Sequence, residues 1–251
     1  MRDVIAIACD GETLMATLDR AAGATGVLIV SGGNEVRAGA HRGMAMLAAR
    51  LAARGLCVLR YDRRGIGDST GENRGFAAAA PDLAAALAAL RETGVTRVVG
   101  YGNCDAATLL AGAGALMGID AVVLSNPWTG AEADDLPPAA AIRAGYAASL
   151  RDPAEWRRLL RGGVDLRKLA RGVAKLLRPA RAEVPPVVGA IERWGTRATV
   201  VLAAGDATAL AFAAAARGSA IVPVMVDTAS HSFARAGDID AVERAILHAA
   251  G

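Results

Sequence analysis

The run Arg97-Val98-Val99-Gly100-Tyr101-Gly102-Asn103-Cys104-Asp105-Ala106-Ala107-Thr108-Leu109-Leu110 decides how the rest of the chain is read. Its first half is a short apolar strand and its second half a helix of small and apolar residues. Gly102 to Ala106 must make the sharp turn between them, with one reactive side chain, Cys104, at the apex. A strand, a tight turn and a helix in this order lift a nucleophile above a parallel sheet, and the usual pattern is Gly-x-Ser-x-Gly. Cys stands here for Ser and Ala for the last Gly. Both flanks stay small, as a tight turn needs. Alone, a Cys beside a glycine at a strand end is more often a small buried hydrophobe than a nucleophile. Its surroundings must decide.

Upstream, Thr25 to Val30 is a continuous apolar strand of the kind found inside parallel sheets. It runs into Ser31-Gly32-Gly33-Asn34, either a loop whose free N–H groups face a ligand or a plain strand-to-helix turn. Ala38 to Arg54 follows as a helix with Met44, Leu47 and Leu51 on one face. Leu56 to Tyr61 is the next buried strand, and Cys57 in it reads as core. Asp62-Arg63-Arg64-Gly65-Ile66-Gly67-Asp68-Ser69 then forms a polar loop. Most of its charges are expected to pair with one another. Asp3 to Leu18 reads as a hairpin turning at Asp10-Gly11-Glu12, with Cys9 structural. Ala77 to Thr93 is an alanine-rich helix that breaks at Gly94.

Downstream, Ala121 to Ser125 is a short strand that ends in Asn126-Pro127-Trp128. The strand and helix alternation then stops until about Pro186. Within that gap, residues 151–181 carry ten Lys and Arg against three acidic residues. An insertion of this length is usually functional, and its charge is either a solvated face or a docking surface. The alternation resumes with a strand at Ala198 to Ala203, Gly205-Asp206, and a helix from Thr208 to Arg217. Ile221 to Val226 is the last strand, Ser230-His231-Ser232-Phe233 follows it, and Asp238 caps a final helix with Ala241, Ala245 and Leu247 facing inward.

Three groups thus each follow a strand. In chain order they are Cys104, Asp206 and His231, a nucleophile, an acid and a histidine. Carboxyl ends of parallel strands converge on one crevice, so distant residues can meet there. A His beside a thiol takes its proton, and an acid fixes the tautomer of that His and favours its charged form. The N–H of Asp105, at the helix start, is one oxyanion donor, and the Gly33 and Asn34 region supplies the second. Of the other histidines, His248 lies next to the terminus. His41 either lines the pocket or caps its helix.

With 251 residues and 53% apolar side chains, the chain can fill one α/β core with an inserted cap, built from aliphatics because aromatics are only 4%. A formal net charge of +3 gives no argument for nucleic acid. No secretory leader is expected, and no apolar run reaches the ~20 residues of a membrane span. Three cysteines, Cys9, Cys57 and Cys104, in or beside separate strands point to a reducing cytoplasm rather than disulfides. Their spacing fits no metal site, and no cofactor is called for.

At this point the chain resembles the α/β-hydrolase superfamily over its whole length. More narrowly, it is similar to the exosortase A system-associated hydrolases. The matching runs are Gly32-Gly33 through Arg37-Ala38-Gly39-Ala40-His41-Arg42, Arg60 to Ser69, Cys104-Asp105-Ala106-Ala107, Asn126-Pro127-Trp128 and His231-Ser232-Phe233. The resemblance implies an α/β-hydrolase fold, a mostly parallel sheet flanked by helices with a helical cap insertion. Residues 1–127 and 187–251 would form the core and 128–186 the cap. It also implies a Cys-Asp-His hydrolase-like protein of surface-polysaccharide or specialised-metabolite clusters. Arg37, His41 and Trp128 lie in the matching runs and are candidate pocket residues. The Ser31-Gly32-Gly33-Asn34 loop departs from the pattern, which leaves the second oxyanion donor open. Two readings result. One is an acyl hydrolase or acyltransferase working through acyl-Cys104 on a small-molecule ester or thioester, with CoA or an acyl carrier protein as the donor arm. The other is a non-catalytic binding module that docks an acidic partner through its basic cap.

Overall fold

A computed structural model describes residues 1–130 and 186–251. The expected cap falls almost wholly outside the described residues, and so does its basic run.

Apolar runs became strands and alanine-rich runs became helices. The strands are β1 (Arg2–Cys9), β2 (Glu12–Asp19), β3 (Thr25–Val30), β4 (Cys57–Tyr61), β5 (Arg97–Asn103), β6 (Ala121–Ser125), β7 (Ala198–Ala203) and β8 (Val224–Val226). The helices are α1 (Gly43–Ala53), α2 (Ala80–Arg91), α3 (Asp105–Ala113), α4 (Pro186–Glu192), α5 (Ala207–Ala215) and α6 (Asp238–Ala250). Together the strands form one sheet in the order β1-β2-β4-β3-β5-β6-β7-β8. Only the β1–β2 and β2–β4 pairs are antiparallel. The five strands from β4 to β7 are almost fully buried because helices cover both faces.

One face packs α1 and α6 on the sheet through Leu47, Leu51, Val242 and Ile246. The other packs α2, α3, α4 and α5 through Leu83, Leu110, Ile191 and Phe212. Close approach needs small residues: a Cβ on Gly100 would sit 2.9 Å from Leu110 Cδ2. Trp194, just after α4, donates its indole N–H to the Ala111 carbonyl at 2.9 Å, so this buried aromatic keeps its polar atom satisfied. Cys9 and Cys57 are buried, as expected. Burial, with Asp82 beside it, pushes the Cys9 thiol up, away from reactivity. Among the described residues no helix is long and apolar enough to cross a membrane.

Three local expectations are corrected. The helix expected from Ala38 begins only at Gly43, because His41 and Arg42 adopt left-handed φ values of 51° and 60°. The last strand, expected from Ile221, is Val224–Val226, since Pro223 cannot donate to the ladder before it. The final helix is capped at Gly237, with Asp238 as its first residue; Ala245 is buried as expected and Leu247 packs half-buried against the core, while Val242, Glu243 and Ile246, rather than Ala241, make up the rest of the buried face.

Register places the site. In the sheet, β5 lies between β3 and β6, with Gly102 opposite Val30 on one side and Leu124 on the other. The chain therefore leaves β5 at Cys104 between the exits of β3 and β6, and β7 and β8 end on the same edge.

Candidate active site

Cys104 sits at φ 60° and ψ −124°, a conformation that side chains other than glycine rarely accept. Its N–H donates to Ser125 O at 3.0 Å, and its carbonyl accepts from Trp128 N at 3.2 Å and Thr108 N at 3.3 Å. Those bonds hold the strained peptide. The turn closes because Gly102 has no side chain: a Cβ there would meet Ala106 C at 2.8 Å and Ala107 N at 2.9 Å. Ala106, at the position usually held by glycine, is fully buried against this turn.

Asp206 leaves β7 at the N-terminus of α5. Its two oxygens have separate tasks. Oδ2 accepts the Ala209 N–H at 2.9 Å and caps the helix. Oδ1 lies 3.0 Å from His231 Nδ1. Burial alone would raise the Asp206 carboxyl, but the His231 and Ala209 hydrogen bonds outweigh it and hold the group below its ordinary range. His231 is pushed up to about 10, first by the Asp206 hydrogen bond and then by the Cys104 side chain, against the burial of its ring. An imidazole in this setting is protonated at neutral pH.

The loop after β3 is locked from two sides. Gly33 N–H donates to Asp105 Oδ1 at 2.7 Å. The guanidinium of Arg63, only 3% exposed as a residue, donates to the Gly33 carbonyl and lies 3.7 Å from Asp105 Oδ2. The Gly33 N–H expected to face an oxyanion is therefore already taken by a carboxylate. Two expected donors remain. The Asp105 N–H is in the first turn of α3, where N–H groups have no helical acceptor. Asn34 is exposed, with its side-chain oxygen accepting from Asn73 at 2.9 Å.

The pocket candidates separate. Arg37 pairs with Asp62 and, at 2.9 Å, with Asp68, and its Nε donates to Thr17 at 3.2 Å. Its charge is engaged in the loop after β4, as a structural ion-pair group. The charges of that loop, expected to pair with one another, pair outside it instead: Asp62 and Asp68 with Arg37, Arg64 with Asp82 at 2.6 Å and Arg63 with Asp105 at 3.7 Å. His41 stands exposed on the turn before α1, and no side chain caps that helix, which removes the capping alternative. Trp128 is half-buried beside the elbow, edge-on to Phe76 with ring centroids 5.4 Å apart. His248 is exposed on α6.

Sequence reasoning missed Asn103 and Arg63. Asn103 was only the variable position of the turn, yet its side chain is buried and donates to the His231 carbonyl at 3.1 Å. Asn126 was noticed only as part of a motif, and it donates to the same carbonyl at 3.0 Å. An asparagine ending a buried strand was the available signal, since such a group must find partners.

A model of the alpha/beta hydrolase family matches residues 27–245. No curated protein sequence matches with significance. Solved structures similar to the chain include a lidless α/β serine hydrolase from Xanthomonas campestris, 16% identical, with TM-score 0.60, covering 99% of this chain and 93% of that one. An esterase from Pyrococcus furiosus is 14% identical, with TM-score 0.64 over 99% of this chain and 89% of its own. The thioesterase domain of the curacin biosynthetic pathway is 13% identical, with TM-score 0.63 over 98% of this chain and 99% of its own. At these identities the likeness is one of fold.

Proposed function

Because the chain belongs to the alpha/beta hydrolase family, we propose that it is an acyl hydrolase or acyltransferase acting on an ester or thioester through an acyl-Cys104 intermediate. The observation that carries this reading is the 3.0 Å contact of His231 with Asp206, on the same sheet edge as a Cys104 held at φ 60°. Cys104 would attack the acyl carbon as a thiolate. The new S–C bond forms as the carbonyl becomes an oxyanion, received by the N–H groups of Asp105 and Asn34. Its collapse expels the leaving thiolate or alkoxide, which takes the proton of the His231 imidazolium. Neutral His231 then removes a proton from water or an acceptor hydroxyl, which attacks the acyl carbon and frees Cys104.

A cysteine nucleophile suits thioesters, because thiolate attack on a thioester exchanges leaving groups of similar stability. A CoA or carrier-protein donor fits this chemistry and the basic excess of residues 151–181. The resemblance to exosortase-associated hydrolases supports a biosynthetic setting, and a free thiol nucleophile with no disulfide among the described cysteines fits a reducing compartment such as the cytoplasm. The test is intact-mass analysis after incubation with a panel of acyl thioesters. The acyl mass should appear on the wild-type protein and be absent from Cys104→Ala. Turnover by Cys104→Ala within a factor of about ten of wild type would remove Cys104 from the chemistry.

A further inference from the structure

His231 follows a strand of only three residues and stands in a turn outside any helix or strand. Its immediate neighbours hold the turn through Phe233 N–H on Ser230 O at 3.1 Å and Ala234 N–H on Ser230 Oγ at 2.9 Å. Those bonds shape the loop but do not tie it to the nucleophile. Two buried amides do. Asn103 Nδ2 and Asn126 Nδ2 both donate to the His231 carbonyl, at 3.1 and 3.0 Å, which fills both of its lone pairs. Asn126 Nδ2 also reaches Asn103 Oδ1 at 3.1 Å, and Asn126 Oδ1 accepts the Ala203 N–H at 2.9 Å. Asn126 is wholly buried and Asn103 is 5% exposed.

This small network has a particular reach. Asn103 is the residue before Cys104. Ala203 ends β7, three residues before Asp206. The shared acceptor is His231 itself. We propose that Asn103 and Asn126 are positioning residues that clamp the backbone of His231 and thereby hold its imidazole between Cys104 and Asp206. The proposal rests on the reading of His231 as the acid–base partner of Cys104. Buried amides are costly unless every polar atom is paired. Two apolar side chains would fill the space between the strand ends and leave the His231 carbonyl free. The polar pair instead links the strand ends bearing Cys104 and Asp206 to His231.

The test uses Asn103→Leu, which keeps the volume and removes the donor. With a substrate that acylates Cys104, kcat should fall about 10- to 100-fold while KM moves less than about twofold, as expected of a misplaced group. The second readout is the imidazole NMR titration of His231, identified among three histidines by its loss in His231→Gln. Its midpoint should drop from about 10 toward the ordinary value of ~6.5 as its contacts to Asp206 and Cys104 loosen. A folded variant that keeps the wild-type titration would overturn the clamp. If Asn103→Leu does not fold, Asn103→Ala decides by the same two readouts, since it removes the donor without adding a charge. The titration needs no turnover. Absence of acyl-Cys104 in the wild-type protein would therefore sink the acyl-transfer reading without touching the clamp, and an unchanged titration would sink the clamp alone.

Discussion

Cys104 stands on a turn made by its own neighbours, whereas His231 stands on a turn fixed from more than a hundred positions away. Gly102 and Ala106 make the elbow possible, and the backbone bonds that hold Cys104 reach no further than Ser125 and Trp128. His231 depends on Asp206 and on the carbonyl bonds from Asn103 and Asn126, the latter spanning 128 and 105 positions. A nucleophile can be made early and locally. Its partner acquires its geometry only when β5, β6, β7 and the last loop have come together.

The first way to break this contrast is Cys104→Gly. Glycine accepts φ 60° without strain, so the variant should be more stable by about 1 kcal/mol in denaturant unfolding. Its turnover should fall by at least about 10³-fold. Lower stability together with lost turnover would mean that the elbow is not strained, and the local half of the comparison would fail.

Asp206→Asn probes the long-range half. Asparagine can still cap α5, but the ion pair with His231 is lost, so stability to unfolding should fall near neutral pH, while kcat should fall about 10²- to 10⁴-fold as the tautomer and charge of His231 are lost. The pH dependence has a definite sign. His231 is raised when folded, so the stability it contributes is fully present below about 6.5 and is lost as pH rises through about 10. Asp206 is lowered, so its contribution is present above the usual ~3.9 and disappears as pH falls through its folded value. In kcat/KM profiles the wild type should keep its imidazolium-dependent activity up to about pH 10, and the Asn variant should lose it nearer the ordinary imidazole value. Matching alkaline limbs would show that Asp206 does not set the charge of His231.

The smallest effect is expected at Arg63→Gln. Its guanidinium balances the Asp105 carboxylate beside the proposed oxyanion donors and holds the Gly33 carbonyl. Without it kcat should fall about tenfold, less than the ~10²-fold typical of a lost oxyanion donor. A change confined to KM would place Arg63 in substrate binding and sharpen where the long-range set ends.

The same contrast governs how much the sequence could disclose. The elbow was legible because its requirements lie side by side, and β3, β5, β6 and β7 because buried parallel strands are unbroken apolar runs. Asp206 and His231 could be picked out by their place after strands. The fate of the Gly33 N–H could not, because Asp105 is 72 positions away and nothing nearby announces that its carboxylate turns onto that loop. The partners of Arg37 were hidden for a related reason: nothing in a matching run announces that its guanidinium will meet Asp62 and Asp68. Leu47 and Leu51 sit on the expected face of α1, but its start was misplaced because two non-glycine residues adopt left-handed backbone.

Asp206 spends one oxygen on α5 and the other on His231. Fraying of the first turn of that helix would release Oδ2 from Ala209 and let the carboxylate rotate away from the imidazole. Catalysis would then be tied to the local melting of a nine-residue helix rather than to the unfolding of the whole sheet. On warming, activity should decline in step with hydrogen exchange at the Ala209 amide, at temperatures where the amides of β5 remain protected.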